Sequence, residues 1–195
     1  MTVSESRAEL AYTPGQTVGP FFGMALPYPG DSDLIDAAHP QAVRLHGTVY
    51  DGAGVAVPDA MVELWQPDSA GRIPRQPGSL RRDGTGFTGW GRAATDATGH
   101  YAFTTLVPDS ASGGRPPFFA IVVFARGLLN RLFTRSYLPD ADLDADPLLS
   151  TIDVGRRATL LCVAESDSGR TGYRFDIHLQ GPSETVFLAY RDDGR

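Results

Sequence analysis

Hydrophobic and polar residues alternate along several short runs, and each run ends at a turn signal. Val43-Arg44-Leu45-His46-Gly47-Thr48-Val49 places Val43, Leu45 and Val49 on one side and Arg44, His46 and Thr48 on the other. That period of two is the mark of a half-buried strand. The run stops at Asp51-Gly52-Ala53-Gly54. Residues 60–65 form a second run, closed by Gln66-Pro67-Asp68, and residues 100–106 a third, opened by Asp96-Ala97-Thr98-Gly99. Residues 118–124, Phe-Phe-Ala-Ile-Val-Val-Phe, are apolar throughout, so this is expected to be the most buried strand. Runs over 132–138, 159–165, 173–180 and 185–190 bring the total to about eight, a usual number for a two-sheet β-sandwich. A short helix is expected over 32–38, capped by Ser32 or Asp33, and a helical turn near 146–149.

Two regions do not alternate. Residues 1–30 carry Pro14, Gly15, Gly19, Pro20, Pro27, Pro29 and Gly30 among several aromatics. Such a segment is too apolar to float free and too broken to pair, so it is expected to pack on another surface. Residues 66–92 read as a long Gly-, Pro- and Arg-rich connection, and connections of that length are usually functional or interface-forming. The chain therefore divides into an N-terminal arm, 1–30, and a sandwich domain, 31–195.

Composition narrows the function classes. With 195 residues and 42% hydrophobic content, the chain can bury one domain's core. The 22 glycines and 15 prolines punctuate it at intervals that suit β-strands better than helices. The formal net charge of −6, with scattered arginines and no lysine, leaves no nucleic-acid footprint. A single cysteine, Cys162, excludes an internal disulfide and a cysteine-built metal site, and its apolar setting marks it as buried. The first residues show no basic segment followed by an apolar run, and no stretch is apolar long enough to span a bilayer; a cytoplasmic location is expected. There is no Gly-x-Ser-x-Gly, phosphate loop or dinucleotide fingerprint. His39, His46, His100 and His178 stand apart in sequence, and His46 and His178 fall at outward-alternating positions. Asp142, Asp144 and Asp146 lack a calcium-loop pattern and read as a solvated acidic turn. These features alone describe an all-β sandwich without a reaction.

Longer motifs add a reaction. Gly47-Thr48-Val49-Tyr50-Asp51-Gly52-x-Gly54 leads to Val62-Glu63-Leu64-Trp65-Gln66-x-Asp68-x-x-Gly71. Thr95-Asp96-x-x-Gly99-x-Tyr101-x-Phe103, Phe124-Ala125-Arg126-Gly127, Thr134-Arg135-x-Tyr137-Leu138 and Tyr173-Arg174-Phe175-Asp176-Ile177-x-Leu179-x-Gly181 follow in order. The series resembles the intradiol ring-cleavage dioxygenases across nearly the whole chain. The resemblance implies a transthyretin/prealbumin-like sandwich and a ferric ion held by two tyrosinates and two histidines, donors that suit a hard ion. At the matching positions this chain has Ile73, the Ser110 region, Phe118 and Ala120. None can ligate iron, so no metal is expected on this chain.

Three readings follow: a metal-free alpha-type subunit completing the site of an iron-bearing beta subunit, a self-sufficient dioxygenase, or a non-enzymatic transthyretin-like binding module. The missing ligands weigh against the second. Thr13-Pro14-Gly15-Gln16-Thr17-Val18-Gly19-Pro20-Phe21 resembles the alpha-type segment that reaches toward the partner's iron, and this favours the first over the third. By that resemblance Thr17, Gly19, Pro20, Phe21 and Arg126 are the substrate-binding residues, with Arg126 near a substrate carboxylate. Phe21 stands where family members often have tyrosine. The implied reaction is intradiol cleavage of protocatechuate by O2 to 3-carboxy-cis,cis-muconate, in the beta-ketoadipate route. Fe(3+) would be bound by the beta subunit, and the enzyme would be active only as an alpha-beta hetero-oligomer.

Overall fold

The computed structural model describes residues 15–19, 21–74, 82, 86–110, 114–167 and 170–189. Two sheets face each other. One has the order β4-β1-β8-β7, with β9 also on β1; the other has the order β3-β2-β5-β6. In chain order the strands are β1 Val43–Tyr50, β2 Met61–Trp65, β3 Trp90–Ala94, β4 His100–Thr105, β5 Phe118–Phe124, β6 Leu132–Tyr137, β7 Val163–Asp167, β8 Arg170–Arg174 and β9 Ile177–His178. Alternation works as the sequence suggests. Leu45, Val49, Tyr101 and Phe103 of the first sheet meet Val62, Leu64, Phe119, Ile121 and Val123 of the second in one apolar core. A smaller cluster of Tyr137, Leu149, Leu160 and Val186 lies at one end. The expected all-β sandwich is the fold.

The differences have local causes. β3 begins inside the expected long connection, 66–92, and runs two residues past it. Its Gly and Ala residues carry little strand propensity, yet it pairs with β2 from Met61↔Ala94 to Trp65↔Trp90. At Gly91 an added Cβ would sit 2.4 Å from Leu34 Cδ1, so the close packing there demands the residue that hides the strand in sequence. Residues 32–38 are not helical: Leu34 donates its N–H to the Thr104 carbonyl at 2.8 Å, bridging to β4 rather than closing a helical turn. The helical turn expected near 146–149 is present: the Asp146 carbonyl accepts the Leu149 N–H at 2.9 Å, and the turn runs on into a 3-10 helix over Leu149–Thr151, with another before it over Leu143–Ala145. Helix α1 spans Phe22–Ala25 in the arm, and α2 spans Val154–Arg157. Asp153 caps α2 through the Gly155 and Arg156 N–H groups, and the turn continues as a 3-10 helix over Ala158–Leu160. This displaces the strand expected at 159–165 to Val163–Asp167.

The run 173–180 is cut in two where it passes β1. The Phe175 carbonyl accepts the Tyr101 hydroxyl at 2.6 Å, and the Asp176 carboxylate accepts the Thr48 N–H at 3.0 Å. The approach is so close that a Cβ on Gly47 would lie 1.9 Å from the Phe175 oxygen. Residues 185–189 form no strand. They contribute an isolated bridge from Leu188 to Phe133 and accept the Thr134 hydroxyl at the Val186 carbonyl, 2.8 Å. Among the described residues no helix is long and apolar enough to cross a membrane.

Candidate functional site

Of the sequence-predicted binding residues, Thr17 meets the Arg126-Gly127 turn at the end of β5. Ala125 is buried, Arg126 emerges, and Gly127 takes φ +89°, a conformation that side chains other than glycine rarely adopt. That turn aims the Gly127 N–H at the Thr17 hydroxyl, which accepts it at 2.7 Å. The arm is thereby pinned beside Arg126. Two residues on, the Gly19 carbonyl accepts the Phe22 N–H at 3.2 Å and starts α1. Gly23 of α1 faces the Asp59 carbonyl, and the Asp59 carboxylate is ion-paired with Arg126 Nε. Thr17 and Arg126 thus share one edge, and the arm runs on through Gly19 and Phe21 into α1, which meets the Arg126 partner Asp59 at Gly23; Pro20 lies outside the described residues. The edge is open: Arg126 is 57% and Phe21 69% exposed. A shallow cleft of about 210 Å³ beside it is lined by Val18, Phe124, Leu128 and Arg131.

The four positions matched to metal ligands lie elsewhere. Ile73 is 70% exposed on the connection after β2. Phe118 and Ala120 alternate onto the outer face of β5, and Phe118 and Ser110 line a cleft of about 240 Å³ with Pro117, Arg115 and Arg135. Where a cation's ligands would be, there is a cation. The Arg135 guanidinium lies 4.1 Å above the Phe118 ring, and Arg135 pairs with Ala120 across the sheet. Arg135 Nη1 donates to Asp146 Oδ2 at 2.9 Å, and the Tyr137 hydroxyl donates to the same oxygen at 2.8 Å. Burial pushes the Tyr137 hydroxyl up to about 12. Isoleucine, serine, phenylalanine and alanine offer neither phenolate nor imidazole, and the adjacent guanidinium would repel a ferric ion. The residues present do not fit the metal. Among the described residues no three His, Cys, Asp or Glu side chains converge on a metal-sized site.

Two groups differ from the sequence reading. Asp146 is not part of a solvated turn. It is 1% exposed, because Arg135 and Tyr137 supply the hydrogen bonds that its charge requires. His46 and His100, separated in sequence, meet across β1 and β4 with His46 Nδ1 3.4 Å from His100 Nε2. His46 Nε2 lies 3.2 Å from Glu165, which also binds Arg174. Outward alternation of His46 was the available signal; strand register was the missing piece. Cys162 is buried as expected, and burial pushes its thiol up to about 11.

Residues 19–181 match the Dioxygenase family. The chain is 40% identical to the protocatechuate 3,4-dioxygenase alpha chain of Burkholderia cepacia, over 92% of this chain and 98% of that one. It is 31% identical to the beta chain of the same enzyme and organism, over 74% of this chain and 67% of that one. Among solved structures, catechol 1,2-dioxygenase from Acinetobacter sp. ADP1 superimposes with a TM-score of 0.57 at 20% identity, over 82% of this chain and 60% of that chain. That likeness carries the sandwich fold, and the alpha-chain likeness spans almost the full length of both sequences. The chain belongs to the intradiol ring-cleavage dioxygenase family, whose members are typically iron-dependent.

Proposed function

We infer that this chain is the metal-free alpha-type subunit of a protocatechuate 3,4-dioxygenase, completing the substrate pocket of an iron-bearing beta subunit. One observation carries the reading. The positions matched to metal ligands hold Ile73, Ser110, Phe118 and Ala120, while the arm edge is ordered around Thr17, Gly127 and Arg126 and left open. The ring opening by O2, yielding 3-carboxy-cis,cis-muconate, belongs on this reading to the partner's iron. This chain contributes position and charge. Asp59 engages Arg126 at Nε, which orients the guanidinium and leaves its two terminal nitrogens to grip a substrate carboxylate through parallel hydrogen bonds. The backbone at Gly19, without a side chain, and the stiff Pro20 form the wall of the pocket, with Phe21 beside them.

The same reading gives the arm, residues 1–30, its role. Phe21, Met24 and Leu26 are exposed together on and beside α1, an apolar surface suited to burial against the partner. The domain of residues 31–195 carries it. The test is expression alone and with a beta-type chain, followed by iron analysis and a ring-cleavage assay. Alone, the chain is expected to hold no iron and cleave nothing; together, the complex is expected to contain iron and act on protocatechuate. Stoichiometric iron or activity in the isolated chain overturns the assignment.

A further inference from the structure

A separate cavity lies on the outer face of the first sheet, whereas the arm edge sits at the end of β5 in the second. It is a groove of about 620 Å³, within the usual range for small-molecule sites. Its floor is made by small residues at outward positions of neighbouring strands. Ala102 of β4 sits opposite His46 of β1, and Gly172 of β8 sits opposite Arg44 on one side and Glu165 on the other. The absence of a side chain at Gly172 opens the floor between Arg44 and Glu165. Ala37 and Ala42 extend the apolar wall.

The charges around this floor are unbalanced. Glu165 is bound by Arg174 Nε at 2.7 Å and by His46, and Asp176 by Arg174 Nη1 at 2.5 Å. Glu165 and Asp176 are thus already engaged. Arg44 and Arg170 also line the groove, and neither has an ion-pair partner among the described residues. On the facing loop, Asp31 and Asp36 are turned to local backbone donors at Tyr28 and Ala38. A chain of net charge −6 therefore presents here an apolar floor with two guanidinium groups that form no ion pair among the described residues, and an imidazole, at its rim.

We propose that this groove is a binding site for a small organic carboxylate, its apolar body lying on Ala102 and Gly172 and its charge met by Arg44, Arg170 and His46. The histidine couples the site to protons. His46 faces Arg44 on its own strand, His100 on β4, Glu165 on β7 and Arg174 on β8. Burial and the Arg44 charge hold its imidazole below the ordinary range, with Glu165 opposing them. His46 Nε2 lies against Glu165 at 3.2 Å and its Nδ1 against His100 Nε2 at 3.4 Å. An anion beside the ring favours the imidazolium, so binding tightens as pH falls and takes up a proton.

The test uses the full-length chain and benzoate, with benzamide as its uncharged isostere, followed by calorimetry and by the histidine ring resonances. Benzoate is expected to bind once per chain, shift the His46 ring signals and draw a proton from buffer, while benzamide binds at least about tenfold more weakly. Arg44→Gln is exposed and leaves the sheet intact; Ala102→Leu fills the floor. Each is expected to weaken benzoate by about tenfold or more, whereas Arg72→Gln, an exposed arginine paired with Asp68 and lining neither the groove nor the arm edge, leaves it unchanged. Circular dichroism confirms that each variant is folded. Absence of benzoate binding, or binding unaffected by Arg44→Gln, overturns the proposal. Loss of binding in Arg126→Ala alone also overturns it and assigns the carboxylate to the arm edge instead.

Discussion

Replacing Asp146 by alanine tests whether the Arg135–Asp146–Tyr137 network holds the outer face of β6 in place of a metal. Asp146 accepts from Arg135 Nη1 at 2.9 Å, from the Tyr137 hydroxyl at 2.8 Å and from the Leu148 N–H at 3.0 Å. Arg135 is mostly buried and Tyr137 fully so. Truncation therefore strands a guanidinium and a hydroxyl away from water. Breaking one side of such a buried pair costs about 3–5 kcal/mol. For a chain of this length each kcal/mol moves the melting temperature by about 2–4 °C, so a fall of about 6–20 °C is expected. Asp146→Asn keeps an acceptor and loses only the charge assistance, so its cost is about 1–3 kcal/mol. The informative variant replaces all three groups: Arg135→Met with Tyr137→Phe and Asp146→Leu. It removes the three polar side chains at once, and apolar replacement of a buried pair is often neutral. Urea unfolding at one fixed protein concentration gives the comparison, since partner binding would otherwise shift stability. The triple variant is expected to be more stable than Asp146→Ala. If Asp146→Ala costs less than about 1 kcal/mol, or the triple variant is the less stable, the network is not what holds this face.

Arg126→Ala, assembled with an iron-bearing partner, is expected to lose about ten- to hundredfold in kcat/KM on protocatechuate, the worth of one charge-assisted contact. Catechol, without the carboxylate, is affected much less; equal losses on both would give Arg126 a purely structural role beside Asp59. His46 is held below its ordinary value of 6.5, so the unfolded chain takes up the proton more readily, and stability is lost as pH falls from 6.5 through the lowered value. Melting curves against pH are expected to show a shallower acid limb in His46→Gln, and identical limbs would refute the coupling. The Cys162 thiol, buried and pushed up to about 11, is expected to resist iodoacetamide in the folded protein and react on unfolding in urea. Gly47→Ala would drive a Cβ to 1.9 Å from the Phe175 carbonyl and is expected to abolish soluble expression; a well-folded Gly47→Ala protein would mean β1 and the Phe175 crossing can separate.

The fold was legible wherever one face of a strand is buried and the other wet. Residues 43–49, 100–106, 118–124 and 132–138 announce themselves by alternation or by a wholly apolar run, and each is a strand within a residue or so of the expected ends. Legibility fails where a tertiary contact sets the residue type. β3 carries Gly91 because Leu34 occupies the space of a Cβ, and the consequent weak propensity conceals the strand. The 173–180 run reads as one strand because nothing in its own residues reveals that Phe175 and Asp176 must hydrogen-bond across β1.

The site divides along the same line. Arg126-Gly127 and Thr17 are local motifs, and the structure joins them by a single hydrogen bond. The two charged clusters could not be seen, because each is assembled by register. His46 reaches His100 only because β1 and β4 pair antiparallel, and it reaches Glu165 only across the bare floor left by Gly172. Arg135 and Tyr137 are two residues apart on one strand and so share a face, which hints at a joint partner. The identity of that partner, Asp146, depends on how the chain after β6 folds back. An acidic run in sequence is ordinarily solvated; here its last member is drawn inward by two donors that alternation had already placed side by side. The rule that buried charge must be paired therefore works in reverse as a reading tool. An arginine and a tyrosine on one face of a strand call for a carboxylate, and the nearest acidic turn downstream is where to seek it.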